Sequence, residues 1–355
     1  MDLGSLLRKE IHWSKRNLLV LLFLLLVLPS FFAATSVLFQ DVIPRETPVA
    51  LVAENESVSD EDMEVVEAGL SPVSDPVIAE DHDEAHRMLN RESVYAIVEV
   101  PANVTEEGEE AEFTLIVDGS LAPFLSPSET VQGLVEVELD GLLQADISSE
   151  REVVGEERDL PEYLFPTFLM ALLIFFAFTY VPYNLKTESA VLDRLRVETS
   201  LEAVVATKII YFTALMAVPL LVFHFAALYH GYAVDSLAPG AILTLLLTFL
   251  LLVTVSTTTM VLTRFSGVGL FANAATMLGL LALSGLAFPL GFFSTLRTTV
   301  AQTLPTYYAG VTVRSLTLKD VGIGLYADWI AGIAVLTLIG MLALKGSIVY
   351  YRRTS

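Results

Sequence analysis

Six stretches of about twenty mostly apolar residues punctuate the chain, and they constrain its fold more than any other feature: Leu18–Phe39, Tyr163–Tyr183, Ile209–Tyr229, Ala241–Leu262, Val268–Phe292 and Tyr326–Leu344. Each has the length needed to cross roughly 30 Å of hydrocarbon as a helix. In lipid a helix satisfies its own backbone polar groups, which an isolated strand or loop cannot do. Composition agrees, with 54% hydrophobic and 17% charged residues and a mean hydropathy of +0.62. Water-soluble domains carry about 25% charged residues. The sequence therefore predicts an α-helical polytopic membrane protein with six transmembrane helices.

The charge is unevenly placed. Residues 41–160 hold 32 Asp plus Glu against five Arg and no Lys, a net of −27, and the rest of the chain sums to +5. An acidic, water-exposed domain is thus inserted between the first two spans. Such an excess without Lys suits solvation in a halophile. It selects no ligand. Nucleic acid is excluded as a partner, because phosphate binding needs clustered Lys and Arg. The absence of Cys removes disulfides, thiolate nucleophiles, zinc–thiolate sites and iron–sulfur clusters. No catalytic residue, cofactor or metal site is read from the sequence.

Orientation follows from Lys and Arg in the short flanking loops. With the N-terminus inside, Arg8, Lys9, Lys15, Arg16, Lys186, Arg194, Arg196, Lys208, Arg264, Lys345, Arg352 and Arg353 all face the cytoplasm. The predicted order is a cytoplasmic amphipathic helix (1–17), a first span (18–39), an acidic extracytoplasmic α/β domain (40–162) and a second span (163–184). A cytoplasmic coupling loop (185–207), a third span (208–231), a fourth (239–262) and a fifth (268–292) follow. External or re-entrant helices (293–325), a sixth span (326–346) and a cytoplasmic tail (347–355) complete it. The first apolar run is long for a cleaved leader and has 17 residues before it, so it is expected to stay as an anchor.

In the acidic domain, VALVA (49–53), YAIVEV (95–100) and FTLIV (113–117) read as short buried strands. Between and after them, Ser59–Leu70, His82–Leu89 and Ser128–Leu143 have helical spacing, the last expected to lead back to the bilayer. This alternation predicts a sheet covered by helices. His82 and His86 stand four apart, as zinc ligands do, but the intervening acids do not match the metalloprotease helix, so a solvated acidic helix is expected. Asn55-Glu56-Ser57 and Asn103-Val104-Thr105 permit glycosylation without implying it.

Two elements are expected inside. Residues 2–16 form a basic amphipathic helix, serving either as a flank that sets topology or as a lever to a partner. In the loop KTESAVLDRLRVETSLEAVVATK (186–208), Val191, Leu192 and Leu195 share one helical face rimmed by Glu188, Asp193, Arg194 and Arg196. Thr199 and Glu202 are spaced as a capping box for the helix entering the third span. An apolar ridge with a charged rim suits docking in a partner's groove.

Taken with TPVALVAEN, MLNRESVYAIVEVPANV, the strand ending at Val117-Asp118-Gly119 and LPTYYAGVTVRSL, this loop makes the chain resemble type 2 ABC transporter permeases, in the branch with a large external domain after the first span. The loop fits the family pattern at Glu188, Leu192, Leu195 and Lys208, with Glu198 or Thr199 where the family has Pro. The resemblance implies an ABC ATP-binding subunit contacting Glu188, Leu192, Asp193, Arg194, Leu195, Arg196 and Glu202, together with a homodimer or a heterodimer with a second permease. It also implies that 294–325, with Pro305, Tyr307 and Tyr308, re-enters the membrane as short helices; an external loop is the other reading. No phosphate-cradling loop occurs in the chain, so ATP hydrolysis is expected on the partner.

Within the spans, Thr257, Thr258 and Asn273 are candidates for a pathway lining. Hydroxyls equally bond their own helix, and small residues serve packing. His224 and His230 are expected to be satisfied structurally, and Pro219 to kink the third span. The rival reading is a non-transporting receptor or adhesion protein that uses the acidic domain. One or two spans would suffice for that role.

Overall fold

A computed structural model describes residues 47–102, 104–106, 110–143, 145–189, 200–286, 289–290 and 295–354. The expected N-terminal helix and first span, 1–17 and 18–39, lie outside these residues.

The acidic segment folds as an α/β layer. Its strands are β1 (Thr47–Ala53), β2 (Ser74–Ile78), β3 (Ala96–Val100), β4 (Glu110–Asp118) and β5 (Asp146–Val154), in the sheet order β2-β1-β3-β4-β5. Helices α1 (Asp60–Leu70), α2 (His82–Asn90) and α3 (Ala122–Asp140) connect them. β1 runs parallel to β2 and β3, β3 antiparallel to β4, and β4 parallel to β5. The apolar runs are continuous because both faces are covered. Val49 and Leu51 pack with α1 and α3, whereas Ala50 and Val52 pack with Ala85 and Leu89 of α2.

Ser59 caps α1: its hydroxyl accepts the Asp62 N–H at 3.1 Å, and the Asp62 carboxylate accepts the Ser59 N–H at 3.1 Å. Burial pushes the Asp62 carboxyl up, but the bonds from Ser59 and from the Thr105 hydroxyl outweigh it and hold the group below the usual carboxylate value. The third helix departs from expectation. It starts at Ala122, six residues early, carries Pro127 within it, and leads to a fifth strand, not to the bilayer. β5 (DISSEREVV) escaped notice because it is a polar edge strand, and β2 (SDPVI) because it contains Pro76.

The remainder is helical. α4 (Leu160–Phe178) and α5 (Tyr180–Ser189) form one broken rod, as do α6 (Leu201–Leu215) and α7 (Ala217–His230). Pro182 and Pro219 have no N–H to offer Phe178 and Leu215, four residues back, which explains both breaks. α8 (Pro239–Leu262) is central, packed against α4, α11 (Pro305–Leu318) and α12 (Ala327–Thr354). Among the described residues four helices are long and apolar enough to cross a membrane: Leu160–Ser189, Leu201–His230, Pro239–Leu262 and Ile323–Thr354.

The expected fifth span is shorter than predicted. α9 (Gly267–Leu283) has 17 residues, about 26 Å at 1.5 Å per residue. It stops where Ser284 closes the last turn and Gly285 takes a left-handed φ of +61°. The sixth is longer than predicted and runs through Lys345 to Thr354, with Asp328 in its first turn and Arg352 and Arg353 in its last. That distribution complements the helix dipole. Between them, α10 (Thr295–Ala301) and α11 occupy the segment expected to be short helices, and α11 is buried on nearly every side.

Candidate functional site

Three regions concentrate polar chemistry. The first lies at the end of the bundle remote from the α/β domain. There Lys208 Nζ donates to the Glu188 carboxylate at 2.6 Å and to Asn184 Oδ1 at 2.5 Å, closing the gap between α5 and α6. The Lys208 ammonium also sits 6.0 Å from the centre of the Phe212 ring. Glu202, near the start of α6, accepts from Arg352 Nη1 at 2.7 Å, and Arg264 donates to the Thr354 carbonyl at 3.1 Å, so α6, α8 and α12 meet here. A cleft of about 540 Å³ opens beside them, lined by Tyr180, Asn184, Glu188, Thr207, Lys208 and Tyr211.

The structure thus brings Glu188 and Glu202 of the expected coupling set to one end. Leu192, Asp193, Arg194, Leu195 and Arg196 lie outside the described residues. The expected capping box is corrected: Ser200, not Thr199, caps α6, its hydroxyl accepting the Ala203 N–H at 3.1 Å. The Glu202 carboxylate is held near this cap, beside its own backbone N–H and the Ser200 hydroxyl, and accepts from Arg352.

The second region is the α8–α9 contact. Thr258 Oγ1 donates to the Thr254 carbonyl at 2.7 Å and so serves its own helix. Asn273 is fully buried, and its amide donates to the Gly269 carbonyl at 2.9 Å and across to the Ser256 carbonyl at 3.3 Å. A Cβ at Gly269 would collide with Thr263 and Met260, so α9 closes on α8 through a small residue and a polar clamp. Asn273 Oδ1, Ser256 Oγ and Thr257 Oγ1 are buried without a hydrogen-bond partner among the described residues. His224 Nδ1 lies 2.9 Å from Ser236 Oγ, and His230 stacks on Tyr232.

The third region, where the α/β domain meets α11 and α12, was not singled out from the sequence. α2 ends on Asn90, and Glu92 follows with φ +53°, a left-handed geometry in which glycine is usual. That turn aims the Glu92 carboxylate at Arg314 of α11, which donates through Nε at 2.8 Å and Nη2 at 2.5 Å. Both side chains are 3% exposed or less. Arg314 also donates to the Leu286 carbonyl at 3.1 Å and lies 5.0 Å from the Tyr163 ring centre. The Asn90 carbonyl accepts from Ser315 Oγ at 3.2 Å, Lys319 Nζ at 3.1 Å and Tyr326 Oη at 2.7 Å.

Around this knot, Arg91 donates to the Leu325 carbonyl and pairs with Asp328 at 2.9 Å, with its guanidinium 5.2 Å from the Trp329 ring centre. Buried Lys319 pairs with Asp118, the last residue of β4, at 2.5 Å. Arg158, beyond β5, donates to the Leu318 carbonyl at 3.2 Å. The available signal was the scarcity of cations: in a segment with five Arg, Arg91 and Arg158 both converge on this junction. Of the paired imidazoles, His86 lines a cleft of about 420 Å³ beside this junction, together with Asn90, Asp118, Arg158 and Lys319. His82 Nε2 sits 3.0 Å from Glu99, and among the described residues no three His, Asp or Glu side chains are grouped to hold a metal.

A family model described as ABC-2 family transporter protein matches residues 16–345. No curated protein and no solved structure matches the chain. The match spans nearly the whole sequence, so the chain belongs to the ABC-2 family transporter proteins, as the motif-based resemblance anticipated.

Proposed function

From that membership, we propose that this chain is the membrane-spanning permease subunit of an ATP-driven ABC exporter, working with a separate ATP-binding subunit. The family match across residues 16–345 carries the reading. A permease of this family is a membrane subunit, not itself an enzyme. ATP is hydrolysed by the partner, which docks on the remote end through Glu188, the ridge Leu192 and Leu195 with Asp193, Arg194 and Arg196, and Glu202. The exposed Glu202–Arg352 pair and the half-buried Glu188–Lys208 pair support that placement, since they join helix ends that a docking partner would push apart.

Transport proceeds by alternating access in a homodimer or a heterodimer with a second permease. Closure of two ATPase subunits drives the spans between inward-open and outward-open states, and cargo biases the equilibrium only through its differential affinity for them. Thr257 and Asn273 line the pathway, supported by their unpartnered buried oxygens, with Thr258 beside them. The protein sits multi-pass in the cell membrane with both termini cytoplasmic and residues 40–162 outside, supported by the placement of Lys and Arg.

The test is gentle affinity purification from the native membrane, with identification of co-purifying chains and an ATPase assay. A near-stoichiometric ATP-binding subunit, lost in Leu192→Asp plus Leu195→Asp, is the expected outcome. If no ATPase accompanies the chain and none hydrolyses ATP with it after reconstitution, the reading fails.

A further inference from the structure

We propose that the α/β domain and the outer corner formed by α11, residues 319–326 and the start of α12 are one mechanical body, carried through the transport cycle together, with Glu92 and Arg314 as the positioning pair. The idea rests on the permease reading for its cycle, but the junction itself stands on geometry.

Two chain connections alone would let a domain swing. Here two further attachments, and a third from the link into α4 itself, converge on the C-terminal end of α11. The end of α2 grips it through Asn90 and Glu92, with Arg91 reaching the Leu325 carbonyl and Asp328 beside it; the end of β4 through Asp118 on Lys319; and the segment after β5 through Arg158 on the Leu318 carbonyl. α2 lies on one face of the sheet while β4 lies within it, so the domain is gripped from two of its layers. Contacts from two layers oppose a swing about the chain connections.

The chemistry opposes slipping as well. Glu92, Arg314, Asp118 and Lys319 are each less than a tenth exposed, so sliding the domain would leave buried charges unpaired. Glu92 holds a left-handed conformation that a non-glycine residue adopts at a cost, a feature kept only where surroundings over-determine it. At its other end α11 is embedded: Thr306 Oγ1 lies 2.6 Å from Ser284 Oγ, and the helix packs on α8 and α4. A tilt of α11 within the bundle therefore moves the whole domain, and a load on the domain returns to α11.

The natural absence of Cys allows spin labels to be placed at will. Glu64→Cys on exposed α1 and Gly324→Cys, where a Cβ meets open space, report the distance across the junction. In the permease–ATPase complex, the expected result is one narrow distance distribution, identical without nucleotide and with ADP–vanadate. A distribution that shifts or splits between those states, in a sample that hydrolyses ATP, overturns the proposal. Absence of ATPase in the same sample instead sinks the exporter reading. The chain alone still decides the junction: Arg314→Ala should broaden the distribution and Arg314→Lys should narrow it again. An unchanged distribution in a folded Arg314→Ala protein overturns the positioning role, and if that variant does not fold, Asp118→Asn is read the same way.

Discussion

Both ends of the helical bundle are tied by ion pairs, yet the two sets differ in kind. At the α/β junction the Glu92–Arg314 and Asp118–Lys319 pairs are at most 7% exposed, whereas at the remote end Glu202 and Arg352 are 35% and 60% exposed. Buried partners cannot be exchanged for water, so they fix a geometry. Exposed partners trade with solvent at little cost and suit a surface that must rearrange. One end is built to hold, and the other can be remade at little cost.

The comparison breaks first at Arg314. Arg314→Ala or Glu92→Ala leaves an uncompensated buried charge and should cost about 3–5 kcal/mol, read as a large fall in thermal stability in detergent. Stability close to the parent's would show that water reaches the junction and that the two ends do not differ. Lys319→Ala, which leaves Asp118 its bond from the Ser120 N–H but no cation, should cost about 3 kcal/mol by the same route.

A control away from both ends is the α1 cap. Ser59→Ala removes a side-chain acceptor at a helix start and should cost about 1 kcal/mol, measured in the same way. The pH dependence there has a definite sign. The folded Asp62 carboxyl lies below its ordinary value of 3.8, so its contribution is complete above about pH 4 and is lost as pH falls through the lowered folded value. Asp62→Asn should flatten that acid limb; an unchanged acid limb would show that the bonds from Ser59 and Thr105 do not favour the ionised form.

The smallest effect is expected at the remote end. A double-mutant cycle with Glu202→Gln and Arg352→Gln should give a coupling of about 0.2–1 kcal/mol, shrinking as salt rises toward 1 M. A salt-insensitive coupling of several kcal/mol would erase the contrast.

Much of this was legible in the sequence. Apolar length marked the second, third, fourth and sixth spans, because a bilayer imposes a length and a composition that leave few alternatives. β1, β3 and β4 were visible as apolar runs, and α1 and α2 as periodic ones. β2 and β5 were not: edge strands bury little, so Pro76 and the charges of DISSEREVV concealed them. The C-terminal limit of α9 hung on one glycine, Gly285, whose left-handed conformation cannot be told from a glycine tolerated within an apolar helix. Thr199 and Ser200 are adjacent and chemically alike, so residue type alone could not choose between them.

The candidate site divided similarly. Glu188, Leu192, Leu195 and Glu202 were picked out because a local pattern carries them, and Thr257 and Asn273 because polar groups stand out in an apolar helix. The Glu92–Arg314 pair spans 222 positions, and neither residue has a local signature. Sequence by itself determined membership in a membrane family, the inserted acidic α/β unit and the apolar rods, since hydropathy and periodicity act over a few turns of chain. The tertiary structure alone decided which charges are buried together, because burial of an ion pair depends on surfaces brought from distant parts of the chain.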